Sequence, residues 1–320
     1  MRTLREKWAL VTGAGSGIGR AIALRLAHDG AHLWLVDVRS DDLQATAQAA
    51  TALGGQVRTS VVDLAVRAEV EELAAAVREA PQPLDVLVNN AGVAFYGPTL
   101  TMTDAEWERL MAVNLEAPLL LTRRLLPLLL QRPEAHVVNV ASMYGLVALP
   151  KACAYHVSKF GLVGFSEALR AELAGQGVGV TAVCPGFVRT RLFTAGLLGG
   201  GESRRREPPK WLSTSPEHVA DLTVLAIYRN RRQVVVTWLA HALFAVKRFV
   251  PGLLDAYLQR QGAKRRQARE SAERCQSSDA SHALTMAAPT APSRLRTEST
   301  RRDSSAPTWS SVALGTTRSS

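Results

Sequence analysis

The sequence predicts an α/β fold, a doubly wound parallel sheet in a single domain with a C-terminal extension. Three observations carry that expectation. Short apolar, β-rich runs alternate with amphipathic stretches of helical period, the pattern of parallel strands joined by crossover helices. The first run ends in a glycine-rich turn, Gly13-Ala-Gly-Ser-Gly-Ile-Gly19, that opens straight into a helical stretch. An apolar share of 47% over 320 residues is ample for one sizeable core.

Trp8 to Thr12 is the first strand and Arg20 to Asp29 the first helix. The glycines between them let the backbone approach a pyrophosphate closely, and the helix N-terminus turns free N–H groups and a positive dipole end toward that anion. Their spacing is G-x-x-x-G-x-G rather than G-x-G-x-x-G. His32 to Val38 is the second strand, and its Asp37 falls about twenty residues past the turn, where a carboxylate accepts hydrogen bonds from an adenosine ribose. This favours NAD(H). Arg39 is the opposing feature, since an arginine there meets a 2′-phosphate and keeps NADP(H) possible.

Gln56 to Val62, ended by Asp63-Leu64, is the third strand, Arg67 to Ala80 a helix, and Leu84 to Val88 a strand running into Asn89-Asn90-Ala91-Gly92. Trp107 to Gln131 predicts one long helix with Asn114 among Met111, Val113 and Leu115. A buried asparagine needs partners, so Asn114 is structural or catalytic. Ala135 to Ala141 is a strand that delivers Ser142 at its carboxyl end, where open α/β sheets place their ligands. A helix from near Ala154 to about Ala174 carries Tyr155 and Lys159 on one face, four residues apart. A free phenol titrates near ~10 and serves as an acid or base at neutral pH only when a neighbouring cation stabilises its anion. Lys159 is placed to do this. His156 points to another face and reads as a bystander, and Cys153 as a small apolar wall. Gly179 to Val183 and Gln233 to Thr237 are the last strands, the former ending in Cys184-Pro185-Gly186-Phe187-Val188-Arg189-Thr190.

Thr12 to Gly19, Asn89 to Gly92, Asn114, Ser142, Tyr155 with Lys159, and Pro185-Gly186 with Thr190 stand in the order and spacing of the short-chain dehydrogenase/reductase family, which the chain resembles over roughly Leu4 to Thr237. The resemblance implies a Rossmann-like NAD(P)-dependent oxidoreductase. It makes Tyr155 the acid/base, has Ser142 hydrogen-bond the substrate oxygen, and has Lys159 hold the ribose and lower the tyrosine pKa. Asn114 anchors a water-linked proton path. By the same resemblance the cofactor meets Gly13, Ser16, Gly17, Ile18, Gly19, Asp37, Asp63, Leu64, Asn90, Ala91, Gly92, Tyr155, Lys159, Pro185, Gly186, Val188 and Thr190. Asp63 lies at the adenine, and Val188 and Thr190 at the nicotinamide carboxamide. The resemblance further implies a homodimer or homotetramer assembled through the two long helices.

Phe95, Tyr96, Met143, Leu146, Phe187, Leu192, Phe193, Leu197 and Leu198 fall in segments that border the cleft of such a fold, with few charges among them. The expected substrate is therefore a lipophilic secondary alcohol or ketone: a steroid, a retinoid or a long-chain compound. Gly196 and Gly199 to Gly201 mark a stretch that closes over it. One alternative is a 3-ketoacyl reductase for carrier-protein or CoA thioesters, with Arg123 and Arg124 meeting an acidic carrier. Another is a dinucleotide-binding sensor or scaffold, against which the intact Ser142, Tyr155 and Lys159 set argues.

Residues 1–237 form the cofactor-binding and catalytic domain, 238–266 apolar and basic helices, and 267–320 a Ser/Thr-rich tail expected to be disordered. The stretch 234–250 is too short and, with Lys247 and Arg248, too charged for a membrane span. A cover over the cleft, a subunit contact or a membrane interface all fit it. From Lys264 onward ten basic and five acidic residues give half of the net charge of +10, and no nucleic-acid module accompanies the rest. No metal-ligand spacing joins Cys153, Cys184 and Cys275, and reduced thiols fit best. No secretory signal is legible in the first residues, which sets the expectation of a cytoplasmic protein, with peripheral membrane contact through 238–266 left open.

Overall fold

The computed structural model describes residues 1–190, 197–198, 210–264 and 267. Seven strands form one wholly parallel sheet: β1 Trp8–Thr12, β2 His32–Asp37, β3 Val57–Val61, β4 Val86–Asn89, β5 Ala135–Val140, β6 Val178–Pro185 and β7 Gln233–Val236. Their order across the sheet is β7-β6-β5-β4-β1-β2-β3. Parallel strands need crossovers, and each is made by a helix: α1 Gly17–His28, α2 Ser40–Thr51, α3 Arg67–Glu79, α4 Asp104–Met111 leading into α5 Ala117–Leu130, α6 Cys153–Glu172 and α7 Pro216–Tyr228. Strand order reverses between β1 and β4, so a crevice opens beyond the carboxyl ends of these two strands.

The central strands are buried on both faces, which is why they read as unbroken apolar runs. One face is closed by Ile22 and Leu26 of α1, Leu43 of α2, and Val219, Val224 and Ile227 of α7. The other is closed by Val70, Leu73 and Val77 of α3, Leu121, Leu125 and Leu129 of α5, and Leu169 of α6. Each such side chain contributes about 1.5–3 kcal/mol when fully buried. At the edge of the second layer the Asp85 carboxylate, fully buried, is held by Lys7 (3.1 Å), Arg132 (2.8 Å) and the Trp8 amide (3.1 Å), the compensation a buried charge requires.

Two features depart from expectation. Trp107 to Gln131 is not one α-helix: residues Ala112–Glu116 form a π-turn between α4 and α5. Its extra residue turns Asn114 inward, where the side chain bonds to the loop after β4 instead of lying along an unbroken helix. Helices α2 and α7 are further elements. In α7 a Ser215 side chain caps the helix and Pro216 starts it, a recognisable helix-opening pattern.

Met1–Tyr257 is one compact unit that holds the sheet, and the described residues from Leu258 onward fall outside it. Beyond β7 the chain enters α8, Trp238–Phe249, and residues 251–257 are again helical. No helix among the described residues is long and apolar enough to cross a membrane. Leu192, Phe193, Gly196, Gly199 to Gly201, Cys275 and nearly all of the expected tail lie outside the described residues.

Candidate functional site

The crevice between β1 and β4 is a cavity of about 390 Å³. Among the residues predicted to meet a cofactor, all but Gly19 line it. Gly19 lies against the turn itself, where a Cβ would stand 2.0 Å from the Gly13 carbonyl oxygen and 2.3 Å from Asn90 Nδ2. Gly13 and Gly17 have positive φ (65° and 55°), which a side chain would strain. The turn is fastened from across the crevice. Asn90 Nδ2 donates to Thr12 O (2.9 Å) and Gly13 O (3.2 Å), and Thr12 Oγ1 accepts from the amides of Asn90 (3.0 Å) and Ala91 (3.1 Å). A packed glycine turn at the head of α1 fits a dinucleotide pyrophosphate.

At the β2 end Asp37 Oδ2 accepts from Gly15 N (2.9 Å) and Oδ1 from Arg39 N (3.0 Å). Arg39 does not lie free in solvent. Its Nη2 donates to Ser16 Oγ (2.9 Å) and its Nε pairs with Asp42 (2.9 Å) beside the same wall. Asp63 faces the cavity with its carboxylate paired to Arg109 at 3.2 Å. Arg109 was not singled out in the sequence, and no local signal could have found it, since its partner lies 46 residues away.

The catalytic candidates meet at the opposite end. Ser142, at the end of β5, accepts from Tyr144 N (3.1 Å) and lies beside the phenol of Tyr155 from the first turn of α6. Lys159 follows one turn on, its Nζ 5.7 Å from the Tyr155 ring centre and donating to Val140 O at 3.0 Å. Tyr96 and Tyr144 set their rings against Tyr155 at 6.4 Å and 5.9 Å. Asn114 grips Val93 from both sides, its Oδ1 accepting from the amide and its Nδ2 donating to the carbonyl, each at 2.8 Å. A Cβ on Gly92 would stand 3.3 Å from Asn114 Oδ1 and 3.6 Å from Lys159 Nζ, so the gap between these two groups exists because residue 92 has no side chain.

Two expectations are corrected here. Burial outweighs the Ser142 hydrogen bond and pushes the Tyr155 phenol up to about 12, not down, while burial takes Lys159 down to about 8. Cys153 is exposed, so it is no wall of the pocket. His156 is buried and bonded to the loop that carries Tyr144, contacts its place on the helix face did not disclose. Among the described residues no cluster could hold a metal ion.

Residues 7–196 match the sequence profile of the family described as short chain dehydrogenase. The protein SadH of Mycobacterium tuberculosis is 35% identical over 256 residues, covering 78% of this chain and 93% of SadH. A short chain dehydrogenase/reductase from Burkholderia phymatum, solved in complex with NAD, is 31% identical with a TM-score of 0.70, covering 79% of this chain and 97% of that one. A metagenomic short-chain oxidoreductase, solved in complex with NADP, is 32% identical with a TM-score of 0.61, covering 73% of this chain and 98% of the other. With the glycine turn, the β1/β4 crevice and the Ser–Tyr–Lys group in one cavity, the chain belongs to the short chain dehydrogenase family of NAD(P)-dependent oxidoreductases.

Proposed function

We propose that the enzyme interconverts a lipophilic secondary alcohol and its ketone, with NAD(H) as the preferred cofactor. The observation that carries this reading is the setting of the Ser142–Tyr155 pair. It sits in a cavity whose nearby wall includes Val93, Ala94, Tyr96, Met143, Tyr144 and Phe187, a group without acidic or basic side chains. A ketone oxygen placed there receives hydrogen bonds from both hydroxyls, and these strengthen as it gains alkoxide character. Tyr155 gives its proton in reduction and takes the alcohol proton in oxidation. The bound nicotinamide supplies or accepts the hydride. Lys159 holds positive charge beneath the phenol, and Asn114 fixes the Val93 loop and one side of the gap over Gly92 through which a water-linked proton path runs. Asp37 is the ribose ligand, and Asp63 with Leu64 borders the adenine.

Helix α8 supports the reading of a cover over the cleft. It packs Ala240, Leu243 and Phe244 against clusters containing Met143, Tyr155 and Leu146, and Lys247 Nζ donates to Leu146 O at 2.8 Å. The 3-ketoacyl reading loses Arg124, which is tied to Glu71 by two bonds of 2.7 and 2.8 Å, and keeps only the exposed Arg123 to meet a carrier. A homodimer or homotetramer through α5 and α6 is supported by the incompletely covered Leu126, Leu128 and Leu130 of α5 and the exposed Val157 of α6. Light scattering of the purified protein should give at least twice the chain mass, and a monomer at micromolar concentration would refute the assembly.

The cofactor reading is tested by titrating the protein with NADH and NADPH and following nicotinamide fluorescence. NADH should bind at least about tenfold more tightly than NADPH, and Asp37→Ala should weaken NADH by about tenfold, or ~1.4 kcal/mol. Tighter NADPH would instead assign the site to Arg39. Turnover of 2-decanone or a steroidal 3-ketone with NADH supports the lipophilic substrate. Turnover confined to acetoacetyl-CoA gives the site to the thioester reading.

A further inference from the structure

We propose that His156 is a positioning residue of the active site, holding Tyr144 so that the Ser142 hydroxyl anchored to that residue keeps its place beside Tyr155. His156 follows Tyr155 directly in α6 and is 6% exposed. Its Nδ1 lies 2.8 Å from Tyr144 O, and its Nε2 lies 3.0 Å from Leu149 N and 2.8 Å from Leu149 O. The ring also packs on the Tyr144 ring at 4.6 Å between centres. In the neutral ring Nε2 accepts from the Leu149 amide, and in the protonated ring it donates to the Leu149 carbonyl. In both, Nδ1 carries a proton and donates to Tyr144 O. The Tyr144 carbonyl is therefore held whatever the charge on the imidazole.

What this does for chemistry follows from the next bonds. Tyr144 N–H donates to Ser142 Oγ at 3.1 Å, and Ser142 stands beside the Tyr155 phenol in the same cavity, where its hydroxyl favours the phenolate. His156 thus holds the carbonyl and the ring of Tyr144, and the amide of the same residue, one peptide earlier, holds Ser142 Oγ, so the imidazole helps fix where that oxygen sits beside Tyr155. The turn itself has its own backbone bonds, Gly145 N to Ser142 O (2.9 Å) and Val147 N to Met143 O (2.9 Å). Loss of the imidazole should then loosen the hold on Ser142 without unfolding the turn. The inference rests on the reading of Ser142 and Tyr155 as the catalytic pair.

Because Ser142 stabilises the Tyr155 phenolate, the readout is the tyrosinate absorbance of the full-length protein saturated with NAD+, titrated with base. The step belonging to Tyr155 is the one missing in Tyr155→Phe. The titratable groups packed around this chain are Tyr96, Tyr144 and Lys159, with Cys184 beside Lys159 and Lys247 beyond Phe160. The variants leave all of them in place. In His156→Ala the step should move up by at least about half a pH unit. His156→Asn, whose amide replaces Nδ1, should restore it, and His156→Gln, whose amide replaces Nε2, should not. An unchanged midpoint in His156→Ala overturns the inference while leaving the catalytic pair intact. If the alanine variant does not fold, equal midpoints in the Asn and Gln variants overturn it. Turnover by Tyr155→Phe equal to that of the wild type overturns the catalytic reading itself.

Discussion

Tyr155→Phe is expected to lower kcat for ketone reduction by about 10³-fold or more without a comparable loss of NADH binding, within the range general acid–base groups supply. The substitution removes one oxygen from a ring that is already fixed by Tyr96, Tyr144 and the α6 backbone, so the cavity keeps its shape. What disappears is the proton donor opposite Ser142. The pH dependence carries the same information with a sign. Tyr155 is held up at about 12 because burial disfavours the phenolate. Ketone reduction uses the phenol and should stay flat through neutral pH. Alcohol oxidation uses the phenolate, whose fraction grows tenfold per pH unit below the phenol pKa, so kcat/KM should rise about tenfold per unit from pH 6 to 8. Lys159, at about 8, begins to lose its charge there, and the rise should slacken above it. Steady-state rates in both directions over pH 6 to 10 check this. A Tyr155→Phe enzyme within tenfold of wild type, or oxidation indifferent to pH, would remove Tyr155 from the chemistry.

The parts of this site that the sequence discloses are those whose partners are near in the chain. The glycine turn joins a strand to a helix within a few residues, Ser142 follows its strand directly, and Tyr155 and Lys159 share a helix face by spacing alone. Contacts made across the fold left no such trace. Asn114 bonds to Val93, and nothing in the apolar run from Trp107 to Gln131 tells a π-turn from a continued α-helix. Arg109 meets Asp63, and His156 meets Tyr144, only because the loops between them close. The direction of the Tyr155 shift was also illegible. Spacing shows that Lys159 is close, but the depth at which both groups are buried is a property of the packed helix, and desolvation decides the sign. Cys153 shows the converse, since a small apolar residue type beside the tyrosine falls on the outer face of the first helical turn.

The second large effect is expected at a residue that touches no ligand-facing surface. Gly19→Ala should weaken NADH binding at least about 100-fold, or ~2.7 kcal/mol, as read by nicotinamide fluorescence. A Cβ at this position would lie 2.0 Å from Gly13 O and 2.3 Å from Asn90 Nδ2, and both neighbours are held by backbone or by hydrogen bonds on the far side. Relief requires the Gly13 peptide to move, and that peptide sets the path of the whole turn. Displacing Asn90 instead breaks its bonds to Thr12 and Gly13, which lock the loop after β4 to the turn after β1. Either movement opens the cradle that would face a pyrophosphate, so binding should fall even where circular dichroism shows the sheet and helices retained. The distinction is useful because Asp37→Ala removes a ribose contact and leaves the cradle alone. If Gly19→Ala bound NADH as the wild type does, the close packing of Gly19 against Gly13 would be incidental to the cofactor, and the pyrophosphate would have to sit elsewhere in the crevice.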